Sequence, residues 1–310
     1  MAMEPFLEPA FLRKLDRLSL VTRRAMAGNM QGERRSPRRG SSVEFADFRP
    51  YTPGDDIRQI DWNLYARMER FFLKLFVAEE ELTVHLLLDT SASMNWGEPN
   101  KFHYACRAAG ALGYLVLNSL DRVSVTAFGA GVETGTGTGT GTEASHSAGG
   151  YRLPGVRGKR GAFPLFHFLQ KLPPGGATNL AQACHRYART ERAGGPLVFC
   201  SDLLDPGWKE GLRVLSSRPF DMTLLHVLAP QELDPQIDGD FRLLDSEGGP
   251  PVEVTADLDL LHRYQENLVA WRREVETFCA TRSISYLFAD TSITVEDFVL
   301  SQVRARGVVR

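Results

Sequence analysis

Five oxygen-bearing side chains set the chemistry open to this chain. Asp89, Ser91 and Ser93 stand in the string Asp89-Thr90-Ser91-Ala92-Ser93, a carboxylate and two hydroxyls at alternate positions. Thr178 comes later, in Gly175-Gly176-Ala177-Thr178-Asn179, and Asp202 follows Leu197-Val198-Phe199-Cys200-Ser201. Two carboxylates and three hydroxyls, with no His or Cys beside them, suit a hard divalent cation. Mg²⁺ is the first choice, with Mn²⁺ or Ca²⁺ as alternatives. Mg²⁺ keeps several waters and is seldom caged by protein alone, so weak binding is expected without a further ligand.

The flanking residues say what must position these groups. Val84-His85-Leu86-Leu87-Leu88 and Leu197–Ser201 are short, nearly continuous apolar runs. That is the pattern of strands buried on both faces of a parallel sheet. Asp89 and Asp202 then end two central strands, where open α/β sheets bind ligands. Each residue also has a plainer role to play. Ser91, Ser93 and Thr178 are good helix caps. Asp205 rivals Asp202 but lies further from the strand, and reads as a loop or cap residue.

The order Asp-x-Ser-x-Ser, loop Thr, post-strand Asp resembles the metal-ion-dependent adhesion site of von Willebrand factor A domains. All five positions match: Asp89, Ser91, Ser93, Thr178 and Asp202. The resemblance implies that both serines and the threonine lie close to the metal. It implies that one or both aspartates act through water. It also implies one open coordination position, filled by an Asp or Glu of a partner protein.

Composition narrows the class. The chain has 310 residues, 43% hydrophobic and 24% charged, enough for a sizeable core in a soluble globular protein. A net charge of −2 excludes a general polyanion binder. Arg34, Arg35, Arg38 and Arg39 form a basic cluster, but no aromatic platform interleaves it, so a solvated loop is expected and no nucleic acid. No apolar run approaches the roughly 18–20 residues that span a bilayer. Met1-Ala2-Met3-Glu4-Pro5 lacks the layout of a signal peptide. Cys106, Cys184, Cys200 and Cys279 show no paired spacing and are expected to be reduced core thiols. The expected location is cytoplasmic. The seven histidines form no zinc pattern, and Gly155-Val156-Arg157-Gly158-Lys159 does not satisfy a phosphate-binding loop.

Along the chain, residues 6–27 carry apolar positions at helical spacing and residues 28–42 read as a polar, basic loop. Val43 to Arg67 is a compact segment with a turn at Pro53-Gly54, and Phe71 to Val77 is β-rich. Strands near 84–88, 123–128, 197–201, 222–228 and 284–288 then alternate with helices near 102–120, 163–172, 180–192, 208–215, 258–280 and 295–303. Tyr151–Leu153 reads as a short edge strand, and 241–244 with 252–254 as a small hairpin. The Gly-Thr tract at 134–142 has no side chains able to form a core and is expected to be a mobile loop. The expected fold is α/β, a doubly wound, mostly parallel sheet covered on both faces. It occupies residues 80–305, and residues 1–79 form an N-terminal extension packed beside it.

Arg49-Pro50-Tyr51-Thr52-Pro53-Gly54-Asp55-Asp56-Ile57-Arg58-Gln59-Ile60-Asp61-Trp62, followed by Ala66-Arg67, is similar to the signature of the bacterial family called Domain of Unknown Function 58. Members join it to a von Willebrand factor A-like domain. Many begin with membrane-spanning helices, and this chain is similar to the short branch without them. Family members are often encoded beside MoxR-type AAA+ ATPases, which implies such an ATPase as partner and an adaptor role in assembling or maturing other proteins. From the residues alone, Ile57, Ile60 and Leu64 would anchor a short helix. Asp55, Asp56, Arg58, Asp61 and Arg67 would form an ion-pair network or, with Trp62, a partner-docking surface.

Catalytic readings of Asp89 fare worse. Aspartic proteases share a proton between two Asp-Thr-Gly loops and are all-β. Ser91 stands where a haloacid-dehalogenase pattern needs Asp. The expectation is a non-enzymatic, metal-dependent protein-interaction module. The alternative, a metal-assisted hydrolase or phosphatase, needs a general base near Asp89 that the sequence does not offer.

Overall fold

A computed structural model describes residues 5–18, 44–77, 82–129, 145–147, 150–176 and 179–304. Thr178, the Gly-Thr tract at 134–142 and the arginines at 34–39 lie outside the described residues. The chain divides into two compact units, Met1–Asn29 with Leu82–Arg310, and Met30–Glu81. Helix α1 (Pro9–Leu15) belongs to the larger one. A proline at its first position loses no hydrogen bond, and Phe11 and Leu15 are buried in the main core.

The smaller unit is an antiparallel pair with helical turns between its strands. β1 (Glu44–Pro50) pairs with β2 (Phe72–Val77). A 3₁₀ turn (Ile57–Gln59) and helix α2 (Trp62–Met68) connect them. β1 was not separable in the sequence because a bulge between Phe45 and Asp47 breaks its two-residue alternation. Ile60 is buried as an anchor should be, but Ile57 is 62% exposed and Leu64 only half-buried. The three-residue anchor therefore reduces to Ile60, which bridges to Leu73 on β2.

The larger unit continues with β3 (Thr83–Asp89), α3 (Lys101–Asn118), β4 (Arg122–Phe128), β5 (Ser145–Ser147), β6 (Gly150–Arg157), α4 (Ala162–Lys171) and α5 (Leu180–Thr190). Then come β7 (Gly195–Ser201), α6 (Trp208–Ser216), β8 (Phe220–Leu228), α7 (Pro230–Leu233), β9 (Gly239–Leu243), β10 (Val252–Ala256), α8 (Leu258–Thr281), β11 (Ser285–Asp290) and α9 (Val295–Asp297). The chain closes with a π-helical turn over Phe298–Val303. Among the described residues, seven strands form one sheet in the order β11-β8-β7-β3-β4-β6-β5. The first five are parallel, β6 runs antiparallel to β4, and β5 antiparallel to β6. β9 and β10 make the expected hairpin apart from it.

β6 corrects the edge-strand reading. It extends past Leu153 to Arg157, and β5 lies outside it. Pro154 and Gly155 together oppose Ser124 at a bulge, on a stretch that β5 does not reach. Proline is tolerated at such an edge, and the bulge hides the strand from a pattern search.

Helices cover both faces of the sheet. Val84, Leu86 and Leu88 point into a core shared with α1, α3, α4 and the closing turn. Leu87, Leu197 and Phe199 point the other way, into a core shared with α5, α6 and α8. Continuous apolar runs follow from this double burial, and each such side chain contributes about 1.5–3 kcal/mol. From β3 the chain winds outward through β4 and β6, then returns to β7 on the other side and continues to β8 and β11. Strand order therefore reverses between β3 and β7, and the crevice at their carboxyl ends is the topological switch point.

Candidate metal centre at the switch point

β3 ends on Asp89 and the residue after β7 is Asp202, so both carboxylates stand at this crevice. Asp89 is buried. Its Oδ1 accepts a 3.0 Å bond from Ser91 N, and its Oδ2 a 2.7 Å bond from Ser201 Oγ. Ser91 Oγ and Ser93 Oγ lie 2.9 Å apart. Neither serine caps the next helix: Asn100 caps α3 by accepting from His103 N. The loop leading to Thr178 is stitched to the same place. Gly175 N donates to Thr90 O at 2.8 Å, and Ala92 N donates to Gly176 O at 2.9 Å. Gly176 has φ 87, a backbone that favours glycine. A close approach on the other side is also made by glycine, since a Cβ on Gly129 would stand 2.5 Å from Thr90 Oγ1.

Asp202 is held differently. Its Oδ2 accepts a 2.8 Å bond from Lys101 Nζ, and its Oδ1 a 3.2 Å bond from Leu204 N. Its carbonyl meets His226 Nε2 at 3.1 Å, while His226 Nδ1 meets the Tyr286 hydroxyl at 2.9 Å. A carbonyl only accepts, so Nε2 carries the proton and Nδ1 accepts from Tyr286. Burial pulls the His226 pKa down to about 3, so the ring is neutral and adds no charge. Leu203 has φ 57, a left-handed conformation unusual for leucine, and its N–H donates to Ser201 Oγ at 2.9 Å. Such strain persists only where surrounding structure fixes it. Asp205 is the loop residue expected: it accepts from Leu180 N and Gly207 N, and Asn179 caps α5.

Charge decides what the cluster lacks. Burial, and then the charge of Asp202, push the Asp89 carboxyl well above the usual carboxylate range. The bonds from Ser201 and Ser91 pull it back and are outweighed. Among the described residues no Lys or Arg pairs with Asp89, whereas Lys101 already pairs with Asp202. No three His, Cys, Asp or Glu side chains gather as a metal cluster among the described residues. The donor set fits a hard cation at Asp89, Ser91 and Ser93. At Asp202 the fit is poorer, because its charge is already paired with the Lys101 ammonium.

Lys101, Ser201, His226 and Glu232 were missed by sequence reasoning. Ser201 had a legible signal, a hydroxyl at the end of a buried strand. Lys101 had a weaker one, a cation at the first position of a helix, where the dipole disfavours it.

The signature residues lie in the smaller unit. Asp55 accepts from Thr52 N, Thr52 Oγ1 and Arg49, and these bonds, those from Thr52 foremost, hold its pKa down to about 2. Asp56 accepts from Arg58 N. Asp61 caps α2 through Asn63 N and Leu64 N and pairs with Lys74 at 3.1 Å. Trp62 is 61% exposed and makes edge contacts with Tyr65 and Phe71. Arg58 and Arg67 are exposed, and no ion pair forms on either among the described residues. The charges thus act as two local pairs and two caps.

Fold and site define a three-layer α/β protein with a hydroxyl-and-carboxylate cluster at the switch point of its sheet. The sequence profile described as "Protein of unknown function DUF58" matches residues 47–274, and the chain belongs to that family. It is similar to the uncharacterized proteins Mb1516 of Mycobacterium bovis and Rv1480 of Mycobacterium tuberculosis. Each is 27% identical over 274 residues, which cover 86% of this chain and 81% of the relative. Among solved structures, the conserved hypothetical protein BatB from Bacteroides thetaiotaomicron aligns over 73% of this chain and 98% of its own, with 12% identity and a TM-score of 0.40. An aerotolerance-related membrane protein from Bacteroides fragilis aligns over 72% and 99%, with 17% identity and a TM-score of 0.40. No helix among the described residues is long and apolar enough to cross a membrane.

Proposed function

We propose that this chain is a cation-dependent protein-binding module of the von Willebrand factor A-like kind, acting in the cytoplasm without catalysis of its own. Asp89, Ser91, Ser93 and Thr178 hold Mg²⁺, and Asp202 supports it through water. A partner's Asp or Glu completes the coordination. The observation that carries this reading is Asp89: a buried carboxylate at the switch point, bonded to Ser91 and Ser201, with no counter-cation among the described residues. An isolated buried carboxylate is costly, and a bound cation removes that cost.

A protein ligand is supported by the rim. Trp96, three residues past Ser93, is 46% exposed, and Leu204, two past Asp202, is 51% exposed. Both large apolar side chains stand on the loops that carry the cluster. A hydrolase would need a general base at Asp89, and His226 commits both ring nitrogens to Asp202 and Tyr286. Family resemblance suggests a MoxR-type AAA+ ATPase, or a client delivered with it, as the partner. The test is an affinity pulldown of wild type and Asp89→Ala with and without chelator, read by mass spectrometry. The reading expects partners captured by wild type with metal only. Capture indifferent to both changes would contradict it.

A further inference from the structure

Lys101 is among the bulkiest fully buried side chains of the described residues, 0% exposed at the start of α3. Lysines are almost never sealed in this way unless paired. Its ammonium meets Asp202 Oδ2 at 2.8 Å and Glu232 Oε1 at 2.5 Å. Glu232 is itself anchored. Its Oε2 accepts from Ala229 N at 2.8 Å, and its carbonyl accepts from the Tyr264 hydroxyl at 2.7 Å. The ammonium is therefore fixed on Asp202 by a second carboxylate that α7 holds in place. Asp89 and Asp202 end neighbouring strands, with Ser201, the residue before Asp202, bonded to Asp89, yet the two carboxylates end up unequal. One is neutralised from within, and the other is not.

We propose that Lys101 is an internal counter-cation that sets the cation affinity of the Asp89 site. It occupies Asp202, leaves Asp89 as the member of the Asp89–Asp202 pair without a cation of its own, and keeps a positive charge behind that pair. The site alone then holds a divalent cation weakly, and a partner's carboxylate supplies the missing negative charge. Cation and partner each strengthen the binding of the other, by the same factor. This rests on the reading of Asp89 as a cation site. Lys101 is a positioning residue in it, acting through Asp202.

Calorimetric titration of the full chain with MgCl₂, and separately with MnCl₂, tests this on wild type and three variants. Lys101→Met removes the cation. Lys101→Met with Glu232→Gln removes a carboxylate along with it, which spares the fold a second unpaired charge. Glu232→Gln alone keeps the cation and removes its other partner. Lys101→Met should bind Mg²⁺ tighter than wild type, and the double variant tighter than Glu232→Gln alone, each by about tenfold or more, the effect of deleting one like charge nearby. Glu232→Gln should bind it more weakly, and its opposite sign stands even where the Lys101 variants fold poorly. Mg²⁺ affinity in folded Lys101→Met equal to wild type or weaker, a folded double variant no tighter than Glu232→Gln, or tighter binding in Glu232→Gln than in wild type, would overturn the role of Lys101 and leave the Asp89 site standing. Absence of Mg²⁺ and Mn²⁺ binding in every protein, wild type included, would overturn the cation site itself.

Discussion

Ser201 donates a 2.7 Å hydrogen bond to Asp89, tying the carboxyl end of β7 to that of β3 across the switch point. The same hydroxyl accepts from Leu203 N, so it also braces the left-handed turn after Asp202. Ser201→Ala leaves a buried carboxylate oxygen and a buried N–H short of a partner. The expected cost is about 1–3 kcal/mol in urea unfolding. A variant as stable as wild type would show that this bond does not brace the site.

Asp89 should also leave a signature in pH. Its folded pKa, about 7, lies above the roughly 3.9 of an unfolded Asp. Between these values the native state binds more protons than the unfolded state, so this group's contribution to stability falls as pH rises. His226 works in the opposite direction over an overlapping range, because its folded pKa is depressed. Comparing wild type with Asp89→Asn in chelator cancels His226. The asparagine variant should gain stability relative to wild type as pH rises from about 4 to about 7, at most about 1.4 kcal/mol per unit. A stability difference that stays constant, or that moves in favour of wild type as pH rises, would contradict an uncompensated Asp89.

The central strands and both post-strand carboxylates were legible in the sequence because double burial writes continuous apolar runs at 84–88 and 197–201. Asp205 was correctly set aside as a loop residue. The bulged strands were not legible: one extra residue in β1 and the Pro154-Gly155 pair in β6 shift the two-residue period. Lys101 was hidden for a different reason. Its partners are 101 and 131 residues away, and a lysine at the head of a helix reads as solvated until the fold closes over it.

Trp96 and Leu204 separate partner binding from cation binding. Neither donates to the cluster through its side chain, and both are exposed on its loops. Changing them to Ala and Ser should leave Mg²⁺ affinity within about twofold of wild type, since surface changes of this kind are usually within about 0.5 kcal/mol. Partner capture in the pulldown should fall sharply. Undiminished capture would move the interface elsewhere.

In the smaller unit, Asp55 has its pKa held down to about 2 by Thr52 and Arg49. A depressed carboxylate stabilises the fold above its unfolded pKa of about 3.9, and that contribution is lost as pH falls toward 2. Amide exchange around Thr52–Asp55 should rise over this window in wild type, and Asp55→Asn should show the faster exchange already at neutral pH. Equal protection in both proteins at neutral pH would show that the carboxylate does not hold the turn.

The most direct test of the account is thermal unfolding of wild type and Asp89→Asn with and without Mg²⁺ at about pH 8, where Asp89 is largely ionised. At about 100 times its dissociation constant, Mg²⁺ should stabilise wild type by about 2.7 kcal/mol and leave Asp89→Asn unmoved. At about pH 5.5 the wild-type gain should shrink, because protons then compete for Asp89. Equal shifts in the two proteins at pH 8, or none in wild type, would contradict a cation site built on Asp89.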